Sequence, residues 1–197
     1  MITSNFLQFR PTQSLAISAR GKTSSGFTLI ELLVTLAIAA ILATLAAPSF
    51  TDLLEKSRVS TIVNQFTGAL TYARSEAVTR NARVVVCAVA DATIARPRCR
   101  NGSNWDRGWM VFIDDDLNSQ LGNTELLLRV VGAAPTDYAI FSQSGNVSWI
   151  AFTANGLARF RVGISATFAV TPPTGVGSPR AKEIPIDRTG RTRLEDA

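Results

Sequence analysis

Between Phe27 and Ala47 the chain carries one charged residue, Glu31, and neither glycine nor proline. Leucine, isoleucine, alanine and valine make up nearly all of this run, with Thr28, Thr35 and Thr44 the only other polar residues. At helical rise the stretch is about 30 Å long, enough to cross a bilayer. A lone carboxylate near the start of an otherwise clean apolar span is energetically costly, so Glu31 calls for a partner. Ahead of the span, Arg10, Arg20 and Lys22 occur with no acidic residue. That bias predicts a cytoplasmic N-terminus and places the bulk of the chain across the membrane.

The residues Gly26-Phe27-Thr28-Leu29-Ile30-Glu31, followed by an apolar helix, resemble the type IV prepilin signature shared by pilins and type II secretion pseudopilins. The resemblance implies cleavage by a prepilin peptidase between Gly26 and Phe27 and N-methylation of Phe27. It also implies pairing of Glu31 with a neighbouring subunit's N-terminal amine during assembly. Residues 1–26 are then a leader to be left out of fold reasoning. The leader is longer than usual for the family. Its part up to about Ser18 reads either as an extended leader or as a misassigned start. Residues 27–51 form the transmembrane and assembly half of the first helix, and 52–197 an exported domain, periplasmic and then extracellular. The expected partners are other pilin subunits, the peptidase and, before assembly, the inner membrane, with the chain later at the cell surface in a pilus or pseudopilus.

Without the leader, the cationic count falls from 20 to 17 against 15 acidic side chains, so the working protein is only mildly basic. About 150 residues follow the span, enough for one domain with its own core. Pro48, just beyond it, predicts a kink. Val59, Ile62, Val63, Phe66, Ala69, Leu70, Ala73 and Ala77 then recur at three- and four-residue spacing, opposite Arg58, Asn64, Gln65, Thr71, Ser75 and Thr79. This predicts an amphipathic helix to about Arg80 that lays its apolar stripe on a domain. Strands are expected at Arg83–Ala90, Trp109–Ile113, Glu125–Val131, Tyr138–Phe141, Val147–Phe152, Ala158–Val162, Thr167–Val170 and Lys182–Asp187, separated by turn signals. Thr171–Pro179 reads as a mobile loop. One long helix followed by short strands is an α+β pattern, the helix packed on antiparallel sheet.

Two cysteines, Cys87 and Cys99, in an exported domain suggest a disulfide, the alternative being two buried thiols. With no histidine and no further cysteine, zinc binding and histidine-based catalysis are disfavoured. No phosphate-cradling glycine loop precedes a helix. The chain is therefore not expected to be an enzyme or to carry a cofactor. Asp114-Asp115-Asp116 offers oxygens for calcium but lacks the spacing of a dedicated site, and it reads as a solvated turn with no metal. Trp105, Trp109 and Trp149 lie beside strand signals and read as packing residues.

Near the C-terminus, Arg188, Arg191 and Arg193 lie close together, with Arg180 and Lys182 upstream. Guanidinium groups pair with phosphates, and residues 191 and 193 share a face if Gly190 turns the chain into an extended segment. Such contacts give weak, salt-sensitive, sequence-independent binding. No aromatic lies between Arg188 and Arg193, so duplex backbone is the expected target rather than a stacked single strand. The alternative is an exposed tail that happens to hold arginine, partly offset by Glu195 and Asp196. Arg96, Arg98 and Arg100 are a second basic cluster that would extend a phosphate track.

The resemblance continues along the chain. Ala73-Arg74-Ser75-Glu76-Ala77, Arg80-Asn81 and the valines before Cys87 are similar to the start of the GspH/FimT group. Cys99, Trp105, Gly108-Trp109, Val111-Phe112 and Asp114 are similar to its middle, and Phe152 with Gly156 to a further piece. Gly190-Arg191-Thr192-Arg193 resembles the Gly-Arg-x-Arg ending of FimT-type minor pilins. That ending implies DNA binding at the cell surface during natural transformation, through Gly190, Arg191 and Arg193, with Arg188 added by proximity. The other expectation is a structural minor pilin or a GspH-like pseudopilin that primes assembly without DNA.

Overall fold

The computed structural model describes residues 26–173 and 181–196, apart from the side chains of 45–49. The leader up to residue 25, most of the expected loop and Arg180 lie outside the described residues. The chain divides into two units, Met1–Leu45 and Ala46–Ala197, and the helix runs on through Pro48 without interruption.

In the first unit, helix α1 (Leu29–Arg80) begins. Thr28 caps it: its hydroxyl accepts the Glu31 N–H at 3.2 Å and its carbonyl accepts the Leu32 N–H at 3.1 Å. A side-chain oxygen at this position satisfies one of the four N–H groups that a helix start leaves open. Thr35 and Thr44 donate their hydroxyls to the carbonyls of Leu32 and Ile41, which removes the need for water at either. Leu29, Leu32, Leu33, Leu36, Ile38 and Ile41 are all exposed. This part of the helix thus exposes apolar side chains where the later part buries them. Among the described residues no helix is long and apolar enough to cross a membrane.

In the second unit, α1 presents the expected stripe. Val59, Ile62, Val63, Phe66, Ala69, Leu70, Ala73 and Ala77 are buried, while the polar residues named opposite them are exposed. The helix ends at Arg80 because Asn81 takes φ 51°, and the Ala82 N–H reaches back to the Ala77 carbonyl at 3.1 Å. This left-handed cap closes the open carbonyls of the last turn. Arg80 and Glu76, one helical turn apart, pair at 2.5 Å on the surface.

The strands are β1 (Val84–Ala88), β2 (Trp109–Ile113), β3 (Leu127–Val131), β4 (Ala139–Ser142), β5 (Trp149–Phe152), β6 (Ala158–Phe160), β7 (Ala166–Thr171), β8 (Lys182–Ile186) and β9 (Glu195–Asp196). They form two antiparallel sheets, ordered β3-β2-β1-β5-β6 and β4-β7-β8-β9. Every expected strand forms, several of them shorter than expected, and β9 has no counterpart in the sequence reading.

The main core joins the helix stripe to one face of each sheet: Val84, Val86, Val111, Ile150 and Phe152 from the first, Ile140, Phe168, Val170 and Ile184 from the second. Phe66 sits at its centre, with ring centroids 5.5 Å from Trp105, 5.4 Å from Trp109 and 4.9 Å from Phe168. Trp105 donates its indole N–H to the Val147 carbonyl at 2.9 Å, which makes its full burial tolerable. Trp105 and Trp109 are thus packing residues, as their positions beside strand signals predict.

Because β1 is central, its other face is buried too. Val85, Cys87 and Val89 meet Met110, Phe112 and Ala151 in a second cluster against Ala92, Cys99 and Leu121 of the covering loops. The Cys87–Cys99 disulfide fastens one loop over that face, with the two Cα atoms 5.5 Å apart. Gly108, at φ 102°, opens β2. A Cβ there would lie 2.3 Å from the Val131 carbonyl oxygen, so only glycine lets β3 approach.

Candidate functional site

The C-terminal arginines are organised by a tight turn after β8. The Gly190 N–H donates to the Asp187 carbonyl at 2.9 Å. One Asp187 carboxylate oxygen accepts the Thr189 N–H (2.8 Å), the Thr189 hydroxyl (2.5 Å) and the Arg191 N–H (3.3 Å). These donors, the Thr189 hydroxyl foremost, hold the Asp187 carboxyl below the usual carboxylate range. Gly190 takes φ 72°, and a Cβ on it would lie 2.8 Å from the Phe152 ring. The turn is therefore seated directly on the core.

Past Gly190 the chain runs back antiparallel to β8, bridging Thr192 to Ile186 and pairing Glu195 with Glu183 and Asp196 with Lys182. Arg191, Arg193 and Glu195 fall on one face by strand alternation. All three line an open cleft of about 230 Å³ with Asp187, Pro185 and Thr167. Both arginines are exposed and make no ion pair among the described residues. Gly190 thus makes the turn that was expected of it and sets Arg191 beside Arg193. Glu195 shares the cleft, as its expected offset of the field requires, whereas Asp196 pairs with Lys182.

Arg188 is not brought together with them. It lines a different cleft of about 330 Å³ with Trp149, Ala158, Arg159, Phe160, Gly163 and Ile164. Its carbonyl accepts the Ala158 N–H at 2.8 Å, which ties the turn to the edge strand β6. Trp149 is half-buried and lines this cleft, unlike the two core tryptophans.

The loop cluster of Arg96, Arg98 and Arg100 is partly tied to the fold. Arg96 donates to the carbonyls of Gly122 (2.6 Å) and Glu125 (3.2 Å), and Arg100 lies 3.8 Å from Asp106. Only Arg98 of the three is exposed without such a contact among the described residues.

The acidic run also departs from a wholly solvated turn. Asp114 is buried and pairs with the Arg83 guanidinium, which also donates to Ser119 at 2.7 Å and lies 5.4 Å from the Trp149 ring centroid. Burial pushes the Asp114 carboxyl up, and the Arg83 charge and the Ser119 N–H only partly oppose it. Asp115 and Asp116 remain exposed, as expected. Carboxylate oxygens of Asp114, Asp116 and Glu125 lie within 4.8 Å of one another. Their neighbours are internal donors. Glu125 accepts the N–H groups of Asp115 (2.9 Å) and Gly122 (2.7 Å), and Asp114 accepts those of Asn118 and Ser119, each at 3.1 Å. The cluster thus folds its own loop over the sheet.

At the other end of the chain, Gly26 and Phe27 precede the helix and Glu31 lies in its first turn, all exposed. A carboxylate there is favoured by the helix dipole.

A search of curated proteins finds no match to the chain. The crystal structure of the Pseudomonas aeruginosa type IV minor pilin FimU in one crystal form is similar with a TM-score of 0.54 at 22% identity, covering 72% of this chain and 90% of that one. A second crystal form of the same protein matches with a TM-score of 0.49 at 24% identity, covering 71% and 90%. The first of these likenesses shows a shared fold. Residues 21–47 match the prokaryotic N-terminal methylation motif, which implies processing by a prepilin peptidase and assembly with other pilin subunits into a pilus or pseudopilus. Residues 63–190, from the helix stripe to the glycine of the C-terminal turn, match the family described as type II transport protein GspH. With that match spanning most of the second unit and a methylation motif ahead of it, the chain belongs to the GspH family of minor type IV pilins and pseudopilins.

Proposed function

We propose that this protein is a minor type IV pilin that enters a pilus and binds extracellular DNA for uptake in natural transformation. The observation that carries the reading is the placement of Arg191 and Arg193 side by side on an exposed hairpin held by Gly190 and Asp187. Two guanidinium groups on a firm turn suit phosphate oxygens, whose recognition needs no base sequence. In this reading the precursor sits in the inner membrane as a single-pass protein with residues 52–197 in the periplasm. It is cut between Gly26 and Phe27, methylated on Phe27, and docked through Glu31 onto another subunit's amine. The test is binding of a labelled duplex to the full chain in non-ionic detergent across a salt series, beside the Arg191→Ala/Arg193→Ala variant. Loss of two phosphate contacts should flatten the slope of log affinity against log salt by about 1.8. Equal affinity and slope in both proteins would overturn the reading.

A second reading is a GspH-like pseudopilin or structural minor pilin that primes assembly without binding DNA, and the family match favours it. Deleting the gene separates the two. Loss of protein secretion with DNA uptake intact supports a pseudopilin. Where uptake is lost instead, an Arg191→Ala/Arg193→Ala strain that assembles pili but takes up no DNA supports the first reading, and normal uptake in that strain supports a structural pilin.

A further inference from the structure

The turn that carries the C-terminal arginines faces two clefts of opposite character. The cleft of Arg191 and Arg193 also holds Asp187 and Glu195, so two cations stand beside two carboxylates. The cleft of Arg188 is lined by Arg159 and by no acidic residue. Both of its arginines are exposed, and neither makes an ion pair among the described residues. Its walls add Trp149 and Phe160, with Gly163 and the exposed Ile164 at the rim.

Three features fix the geometry. Trp149 and Arg159 sit on neighbouring strands, since β5 pairs with β6 through Ala151 opposite Arg159. By alternation Trp149, Ala151 and Arg159 share the sheet face turned away from the helix. The Arg188 backbone is bonded to Ala158, so its side chain starts one residue from Arg159 in space. The Trp149 ring is steadied by the Arg83 guanidinium, itself anchored by Asp114 and Ser119. An aromatic wall with two cations that lack a counter-charge is suited to a flat ring bearing phosphate. The volume, about 330 Å³, lies at the small end of ligand clefts.

We infer that this cleft takes one nucleotide of a single DNA strand, the base against Trp149 and the flanking phosphates on Arg159 and Arg188. The inference rests on the DNA-binding reading above and extends it. Duplex backbone meets the hairpin at Arg191 and Arg193, and an unpaired end or separated strand is held on the other side of the turn. Base-on-aromatic stacking is tolerant of sequence, so the site has no strong base preference.

The test uses the full chain in non-ionic detergent, with an oligothymidine strand and a duplex of equal length as probes. Of the three tryptophans, Trp105 and Trp109 are fully buried, so a ligand-dependent change in tryptophan emission reports Trp149. Oligothymidine should quench that emission. Arg159→Gln/Arg188→Gln, both at exposed positions, should weaken its binding about tenfold and flatten its salt slope by about 1.4, two phosphates at roughly 0.7 each. Duplex binding should change far less in that variant. Trp149→Phe should retain partial affinity, which separates stacking from loss of fold. Unchanged emission on adding oligothymidine, or wild-type oligothymidine affinity in Arg159→Gln/Arg188→Gln, would overturn the inference. Arg191→Ala/Arg193→Ala distinguishes the two readings. Duplex binding insensitive to that variant sinks the hairpin reading, while oligothymidine quenching that depends on Arg159 and Arg188 still upholds this one.

Discussion

Replacing Gly190 with alanine tests the link between core and arginine hairpin, and its magnitude can be worked from two separate sources. The backbone at 190 has φ 72°, a left-handed conformation that costs a non-glycine residue about 1–2 kcal/mol. The new methyl would also start 2.8 Å from the Phe152 ring, with the Gly156 carbonyl oxygen at 3.4 Å and the Arg74 Cδ at 3.5 Å behind it. Phe152 is fully buried, so its ring can yield only by straining the core, about 1–3 kcal/mol. The expected loss is therefore about 2–5 kcal/mol. The assay is urea unfolding of the chain from Asp52 onward, whose core lies within the unit Ala46–Ala197. The midpoint should fall by about 1 M or more with an unchanged slope. The same substitution in a Phe152→Leu background isolates the ring contact, because removing the ring edge should leave only the backbone contribution. A loss below about 0.5 kcal/mol in Gly190→Ala would refute both parts. An equal loss in the two backgrounds would refute the ring contact.

Three further outcomes are expected. The native Asp187 carboxyl lies below its usual 3.8, so the stability it contributes is present above that pH and is lost as pH falls through the native value. Relative to Asp187→Asn, the wild-type advantage should thus shrink in the acid limb of a pH series of unfolding curves, and a flat difference would count against the Asp187 turn. Reducing the Cys87–Cys99 bond, whose partners are 12 residues apart, should lower stability by about 2–4 kcal/mol and expose the 91–104 loop to protease first. Phe66→Ala should lose about 3–5 kcal/mol by thermal or urea unfolding, since three aromatic rings pack on Phe66 and none can close the cavity alone.

How much of the site was legible in the sequence differs from residue to residue. Gly190 followed by arginines at alternate positions announces a turn and a shared face, because both depend on the local backbone alone. Arg188 has the same apparent claim by proximity, yet it lines a different cleft, its backbone tied to Ala158 of the edge strand β6. Its cleft partners, Arg159 and Trp149, are remote in sequence, and nothing in a local pattern connects them. A sequence signal was available in the strand alternation that puts Trp149, Ala151 and Arg159 on one face, once β5 and β6 are known to pair.

Asp114 makes the same point for burial. As the first of three aspartates it reads as solvated, and it becomes a core group because Arg83, 31 residues earlier, is brought to it by the β1–β2 pairing. Likewise Glu195–Asp196 has no strand propensity and becomes β9 through its ladder to β8, with Lys182 opposite Asp196.

The sequence by itself therefore determined the elements whose causes are local. These are the buried stripe of α1 from Val59 to Ala77, its end before Asn81, the apolar strands, and membership of a filament family through Gly26 to Glu31. Tertiary structure alone decided which strands share a sheet, that β1 is buried on both faces, that Arg96 and Arg100 are tied to the fold, and that Trp149, Arg159 and Arg188 meet. The physical reason is range. Backbone dihedrals, caps and hydrophobic periodicity are set within a few residues, whereas burial, counter-charge and the shape of a cleft depend on chain segments that only folding brings together.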